Sequence, residues 1–429
     1  MSEAKPLKGT ISLPGDKSIS HRSAMFSVLA DGKSVVENVS DGGDVASTIS
    51  ILKQLGADIN LDGTILTVNG KGLVNLHGKK LVLDCGNSGT SLRLFCGLLS
   101  GQNVKKVSLV GDASLSKRPQ DRVVKPLQSM NVNIKSTKGF TPVVISEAIL
   151  FGGLVESEVT SAQVKSAIIL AALYALSPTI YIEEILTRDH TENMLRSMGA
   201  EIESIKTDEG FQVLVRPVVE KNLRPLNGIV PGDPSSAAFF GVAACLVPGS
   251  DIVLENILGN ETRIGWIKVL QRMGANIEIV SKNKVFGEEV IDIHVKYSDL
   301  TATQISKDEI PSLIDELPIL ALAMAKAVGT SKVRDASELR VKESDRIDVV
   351  LSHLDAMGIQ ATPYDDGYDI VGTEADLKEC MIEPHHDHRV AMTFIIANYL
   401  ATQKFETVHQ DIISTSFPSF FSLFSQLID

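Results

Sequence analysis

RIGWIKVLQRMGANI, residues 263 to 277, is an apolar-periodic run that stops at a glycine before a strand-like segment, the pattern of a helix ending at its C-terminal Gly. The same ending recurs as LGADI (55 to 59), MNVNI (130 to 134), MGAEI (198 to 202) and MGIQA (357 to 361). Taken in chain order the five endings stand 75, 68, 75 and 84 residues apart, so the chain is built on a repeat.

The endings mark five of six units, and upstream in each unit lies a second helix with small or polar residues at its start. The six are GDKSISHRSAMFSVLA, GNSGTSLRLFCGLL, VTSAQVKSAIILAALYA, GDPSSAAFFGVAACL, DELPILALAMAKAV and DHRVAMTFIIANYL. Their bodies have little polar face, which predicts burial inside a domain. Strand-like runs such as KLVLDC, KVSLVG, TIYIEEI and SDIVLENI lie between them. The predicted unit is strand, buried helix, strand, amphipathic helix, strand, repeated six times as two α/β domains of three units. A buried helix leaves unsatisfied N–H groups at its N-terminus, and several such ends aimed at one cleft would make an anion site.

Composition narrows the classes of function. The 429 residues carry a formal net charge of −12, which argues against a nucleic-acid surface but not against a local cationic pocket. No apolar run approaches the roughly 18 residues of a membrane span. Cys85, Cys96, Cys245 and Cys380 lack metal-type spacing and read as reduced thiols. The opening MSEAKPLKG has no apolar leader, so the expected location is the cytoplasm.

LPGDKSISHR (13 to 22) looks at first like the end of a P-loop, but Asp16 separates Gly15 from Lys17 and residue 10 is Thr10 rather than Gly. Ser18 and Arg22 are four apart, with Lys17 at the helix mouth, which suits an anion; the simpler reading is a capped helix with a solvated basic end. In CGNSGTSLR, Gly86 and Gly89 allow close backbone approach to a ligand, although Asn-Ser-Gly is also ordinary turn chemistry. Arg118 precedes Pro119 and is predicted to be extended, as a clamp for phosphate or carboxylate or as a plain surface arginine. Ser161 and Gln163 open the third buried helix, where Ser is most often only a cap, and Arg188 follows in TRDHTENML. GDPSSAAFF lacks cations and reads as structural.

IDELPILALAMAKA sets Asp315 and Glu316 at the head of an apolar helix, with Asp315 a natural cap. In SELRVKESDRIDVV, Lys342, Glu343 and Arg346 are spaced to share a helical face. In EPHHDHRVAM, Asp387 is read as a cap and Arg389 as an anion ligand, with zinc left as a minor alternative because ligand spacing is absent.

Together these segments resemble the enolpyruvyl transferase family, from about residue 7 onward: LPGDKSISHR, GNSGTSLR, SKRP, LRVKESDRI and DHRVAM stand in the family's order. SAQVK, RDHTE and NETR resemble the class II members of the branch that takes shikimate 3-phosphate. The resemblance implies two inside-out α/β domains, each of three βαβαββ units. Residues 15–229 would form one and residues 1–14 plus 230–429 the other, with the active site in the cleft between them. It implies transfer of the enolpyruvyl group of phosphoenolpyruvate to the 5-hydroxyl of shikimate 3-phosphate, by a monomer with no metal or organic cofactor and no nucleic-acid or membrane partner. Lys17, Ser18, Arg22, Ser161, Gln163, Arg188, Asp315 and Lys342 match positions for shikimate 3-phosphate. Lys17, Gly89, Arg118, Gln163, Arg346 and Arg389 match positions for phosphoenolpyruvate. Asp315 and Glu343, with Lys17 near the latter, match the acid–base groups.

Two departures stand out: Thr415 where several relatives carry a lysine, and Gly89 where some carry alanine. The rival readings are the sister transferase acting on UDP-N-acetylglucosamine, a P-loop phosphotransferase and a non-catalytic sugar-phosphate binder. The first usually has a Cys before Arg-Pro, which GDASLSKRP lacks; the second fails on Gly-Lys adjacency; the third could dispense with Asp315 and Glu343.

Overall fold

The computed structural model describes residues 4–208, 210–218 and 222–428; the first three residues of MSEAKPLKG lie outside them. The chain falls into two compact units. One consists of the N-terminal residues to Pro14 with Pro231–Asn283 and the chain from Glu289 onward; the other consists of Gly15–Val230 with Lys284–Glu288. No helix among the described residues is long and apolar enough to cross a membrane.

In the unit of Gly15–Val230, the helices Lys17–Leu29, Gly89–Ser100 and Ala162–Ala172 are buried along nearly their whole length. Gly43–Gln54, Asp121–Ser129 and His190–Ser197 bury one face. The alternation read from the sequence is therefore present. Buried helices cannot approach closely through large side chains, and Gly97 marks the contact: a Cβ there would lie 2.0 Å from the Ala167 carbonyl oxygen.

Among its described residues the unit has three four-stranded sheets and a two-stranded pair, His77–Lys79 with Asn103–Lys105; in each of the three the first strand is parallel to the second, in two of them across a buried helix, and the last two form an antiparallel hairpin. One sheet takes its edge strand from far along the chain, because Asn227–Ile229 pairs in parallel with Asp31–Glu37. In the other unit, Lys8–Ser12 makes the matching pair with Asp251–Leu258. The two edge strands are thus exchanged relative to sequence order. Periodicity could not show this, since it reports what a strand buries and not which strand it joins.

The second unit repeats the plan with buried helices Pro234–Leu246, Leu317–Ala325 and His388–Leu400. Its last repeat is abbreviated among the described residues, with one isolated parallel bridge, Ile382 to Thr407, in place of a strand pair. The place of a sheet is taken by aromatic packing from the final helix Phe420–Ile428. Phe420 lies 5.8 Å from Phe240 and 6.0 Å from Phe424, centroid to centroid. Cys85, Cys96 and Cys245 are buried free thiols and Cys380 is partly buried. Burial lifts Cys96 and Cys245 to about 12, far from a reactive thiolate.

His21 is fully buried, with Nδ1 2.7 Å from Thr48 Oγ1, and burial is the main cause of a pKa lowered to about 3. In the unfolded chain a histidine titrates near 6.5, so the unfolded state binds a proton that the native state refuses between about 6.5 and 3. The stability contribution is full above that window and is lost as pH falls through it. His21→Gln is expected to remove up to roughly 1.4 kcal/mol per pH unit of that acid sensitivity, read by urea unfolding at pH 7 and pH 5. Identical pH dependence in both proteins would refute the assignment. Phe420→Ala is expected to lower unfolding free energy by about 3–5 kcal/mol, because the pocket cannot collapse around the lost ring; a loss below about 1 kcal/mol in the same assay would show that the ring is not packed as described.

Candidate functional site

In the unit of Gly15–Val230, Asp16 Oδ1 accepts the Ile19 N–H at 2.7 Å, so the acid of GDKS is occupied in capping its helix. Lys17 pairs with Asp44 at 3.1 Å. Arg22 is only 3% exposed, which overturns the alternative of a solvated basic end. Its Nε donates to Thr191 Oγ1 at 2.8 Å, one terminal nitrogen to Ser166 Oγ at 2.8 Å, and the other to the Ser18 carbonyl at 3.1 Å. Burial lowers its pKa to about 10 against the pull of Glu192, Asp16 and Glu288, and the Arg188 charge is near enough to add to the lowering.

Gly89 begins a helix whose cap is Ser88, the Ser88 hydroxyl accepting the Ser91 N–H at 3.1 Å. A Cβ at Gly89 would meet Arg93 Nη1 at 3.2 Å and Arg118 Nη1 at 3.6 Å, so the missing side chain leaves room for two guanidinium groups at the helix start. Arg118 is extended, with φ −82° and ψ 137°, as Pro119 requires, and donates to Asn87 Oδ1 at 3.0 Å. Gln163 joins the group: its Oε1 accepts from Arg93 at 2.5 Å and its Nε2 donates to Thr90 at 3.0 Å. Arg93 was missed as a site residue although it closes the quoted CGNSGTSLR. Ser161 occupies the cap position of Ala162–Ala172 yet makes no side-chain capping bond, so the plain-cap alternative fails there.

The other unit gathers the remaining residues. Asp315 is not the cap expected from sequence. The helix starts at Leu317, leaving Glu316 in the cap position with no side-chain cap bond and Asp315 one residue further out. Asp315 Oδ1 instead accepts from Lys342 Nζ and Arg346 Nη1, each at 3.3 Å, while its carbonyl accepts from Arg389 at 3.1 Å. Lys342 and Glu343 do not share a helical face with Arg346. Asp345 caps the helix Arg346–Ala356 through the Asp348 N–H, which stops the helix short of both residues. Glu343 meets Arg346 through its fork, whose Nη2 donates to Glu343 at 2.7 Å while Nε donates to Asp387 at 2.8 Å; Lys342 is tied to Arg346 only through their shared acceptor Asp315.

Burial alone would depress the Arg346 pKa, but Asp387, Glu343 and Asp315 outweigh it and raise it above the ordinary arginine value. Asp387 does cap its helix, accepting the Arg389 and Val390 N–H groups at 3.0 and 3.3 Å, but its second role on Arg346 was not foreseen. Glu316 accepts from the Ser235 hydroxyl and lies 3.8 Å from Arg389. Arg263, from NETR, reaches Ser235 and Asp233 in the segment that lacked cations of its own. Thr415 donates to the Ile412 carbonyl at 2.7 Å, closing its own turn. Among the described residues the only histidine–carboxylate group with metal-like spacing is Asp189, His190 and Glu288, so the histidines of EPHHDHRVAM form no such cluster.

Comparison with known proteins agrees with these motifs. The family described as EPSP synthase (3-phosphoshikimate 1-carboxyvinyltransferase) matches residues 1–424. The chain is 43% identical to the 3-phosphoshikimate 1-carboxyvinyltransferase of Citrifermentans bemidjiense, covering 99% of this chain and 98% of that one. It is 45% identical to the enzyme of the same name from Sulfurimonas denitrificans, over 97% and 95%. Among solved structures, EPSP synthase from Acinetobacter baumannii superposes with a TM-score of 0.87 at 39% identity, over 99% of this chain and 96% of that one. An enolpyruvyl transferase from Streptomyces tendae, at 17% identity and a TM-score of 0.76, shares the fold. By its motifs, its fold and its relatives, the chain belongs to the EPSP synthase (3-phosphoshikimate 1-carboxyvinyltransferase) family.

Proposed function

We infer that the chain transfers the enolpyruvyl group of phosphoenolpyruvate to the 5-hydroxyl of shikimate 3-phosphate, releasing phosphate and giving 5-enolpyruvylshikimate 3-phosphate. It is an enzyme of two small-molecule substrates in the shikimate pathway of aromatic amino-acid biosynthesis. The observation that carries the chemistry is the meeting of Lys342, Arg346 and Arg389 on Asp315, with Glu343 on the same arginine. Two carboxylates among three cations are what proton transfer between anionic reactants needs, because neighbouring positive charge keeps a base ionised and offsets the anionic substrates.

In the first step the substrate oxygen bonds C2 of phosphoenolpyruvate, the hydroxyl proton passes to Asp315, and the double-bond pair takes a proton at C3. In the second, C3 gives up a proton, the double bond re-forms and the C2–O bond to phosphate breaks. Glu343, with Lys17, serves the C3 proton. Lys17, Ser18, Arg22, Ser161, Gln163, Arg188, Asp315 and Lys342 bind shikimate 3-phosphate. Lys17, Gly89, Arg118, Gln163, Arg346 and Arg389 bind phosphoenolpyruvate. Each substrate brings a phosphate and a carboxylate, which gives the excess of cations a purpose. Four free cysteines suit the cytoplasm, where the reading places the chain as a monomer.

Phosphate release from phosphoenolpyruvate is expected with shikimate 3-phosphate and not with UDP-N-acetylglucosamine. Release only with the UDP-sugar would assign the sister reaction instead, and release with neither would favour a binder. Asp315→Asn and Glu343→Gln are each expected to lower kcat by roughly 10²–10⁴ in the same assay. A loss under about threefold in either would remove that carboxylate from the proton path.

A further inference from the structure

Arg22 and Lys165 are both buried cations in the unit of Gly15–Val230, and their partners differ in kind. Lys165 lies between two carboxylates, Glu183 at 2.7 Å and Glu192 at 2.9 Å. Arg22 bonds only neutral oxygens among the described residues: Thr191 Oγ1, Ser166 Oγ and the Ser18 carbonyl. Its three bonds use Nε and one N–H on each terminal nitrogen, so each terminal nitrogen keeps one N–H for a ligand. Two such N–H groups on one plane suit the oxygens of a phosphate or a carboxylate.

The two hydroxyls have their directions fixed. Thr191 O–H donates to Ser166 Oγ at 2.8 Å, and Ser166 O–H donates to the Ala162 carbonyl at 2.7 Å. Each hydroxyl proton is therefore committed, and the lone pairs that remain can only receive Arg22. The supports are fixed too. Ser166 and Thr191 lie on separate helices, and their chain neighbours Lys165 and Glu192 join those helices through the buried ion pair. Ala162, the last acceptor, stands between Ser161 and Gln163.

We propose that Ser166 and Thr191 are a positioning pair, a hydroxyl clamp that sets the plane of the Arg22 guanidinium against the turn carrying Ser161 and Gln163 and so determines affinity for an anionic group, phosphate or carboxylate, of the acceptor substrate. The proposal rests on the reading of Arg22 as a ligand of shikimate 3-phosphate. A carboxylate in the clamp would orient Arg22 equally well but would neutralise it. Hydroxyls orient the group and leave its charge to the ligand.

The test is steady-state kinetics of the full chain, with both substrates varied. Thr191→Val keeps the shape and deletes the hydroxyl, and is expected to raise KM for shikimate 3-phosphate about tenfold while KM for phosphoenolpyruvate stays within about twofold. Thr191→Ser restores the hydroxyl and is expected to bring the first constant back to within about threefold of the parent. Added to Arg22→Lys, Thr191→Val should cost little more, because the clamp acts only through that guanidinium. Equal rises in both constants, or the same further rise in the Arg22→Lys background, would overturn the clamp. An unmoved KM for shikimate 3-phosphate in Arg22→Lys alone would overturn the reading of Arg22 itself. A raised KM there with Thr191→Val unmoved would overturn the clamp only. Thermal unfolding of each variant checks folding, and Ser166→Ala carries the same measurements if Thr191→Val does not fold.

Discussion

A helix that is buried nearly all round cannot sit on a surface, and six such helices dictate most of this architecture. Each must be covered along its length. Leu317–Ala325 is the extreme case, with every residue buried. In each unit, sheets and one-faced helices supply the cover. The helix ends are different, because four N–H groups per helix find no partner within the helix and the chain must place polar groups there. This is where the functional candidates fall: Lys17 and Ser18, Gly89, Ser161 and Gln163, Asp315, and Arg389 all lie within the first turn or just before it. The packing constraint and the chemistry are two consequences of one pattern.

The carboxylates divide into those that serve a helix and those that serve a cation, and Asp387 does both. Its Oδ1 takes two backbone N–H groups while its Oδ2 holds Arg346, so the last buried helix and the phosphoenolpyruvate candidate are fixed by one side chain. Burying a guanidinium is costly unless it is paired, and Arg346 with three carboxylates is well compensated. Arg22, bonded to neutral oxygens, is not compensated in the same way, and the opposite directions of the two pKa shifts record the difference.

The repeat, the buried helices and most of the residues that gather around Arg22, Gly89 and Asp315 were legible because each leaves a local trace: a glycine after an amphipathic run, an apolar body, a cation beside a helix start. What was not legible depends on contacts far apart in sequence. The exchange of Lys8–Ser12 and Asn227–Ile229 between sheets has no signature in either segment. Asp315 reads as a cap by residue type, and only the arrival of Lys342 and Arg346 turns it to other use. The helical spacing of Lys342, Glu343 and Arg346 is real, but the Asp345 cap outweighs it locally, and the three converge by loop geometry instead. Arg93 carried a usable signal, four residues after Gly89 on the same helix, and the i to i+4 rule applied to that motif would have found it.

Lys165 shows why residue type alone could not separate structural from functional cations. It belongs to SAQVK, a motif as distinctive as any other in the chain, and it sits two residues after Gln163. Yet two carboxylates and the Thr187 carbonyl surround it, leaving its charge committed inside the protein. Arg22 is equally buried by side chains one position away on the same two helices, Ser166 beside Lys165 and Thr191 beside Glu192. On His190–Ser197 a shift of one residue exchanges the Glu192 carboxylate for the Thr191 hydroxyl, and with it a cation held between carboxylates for one bonded to neutral oxygens.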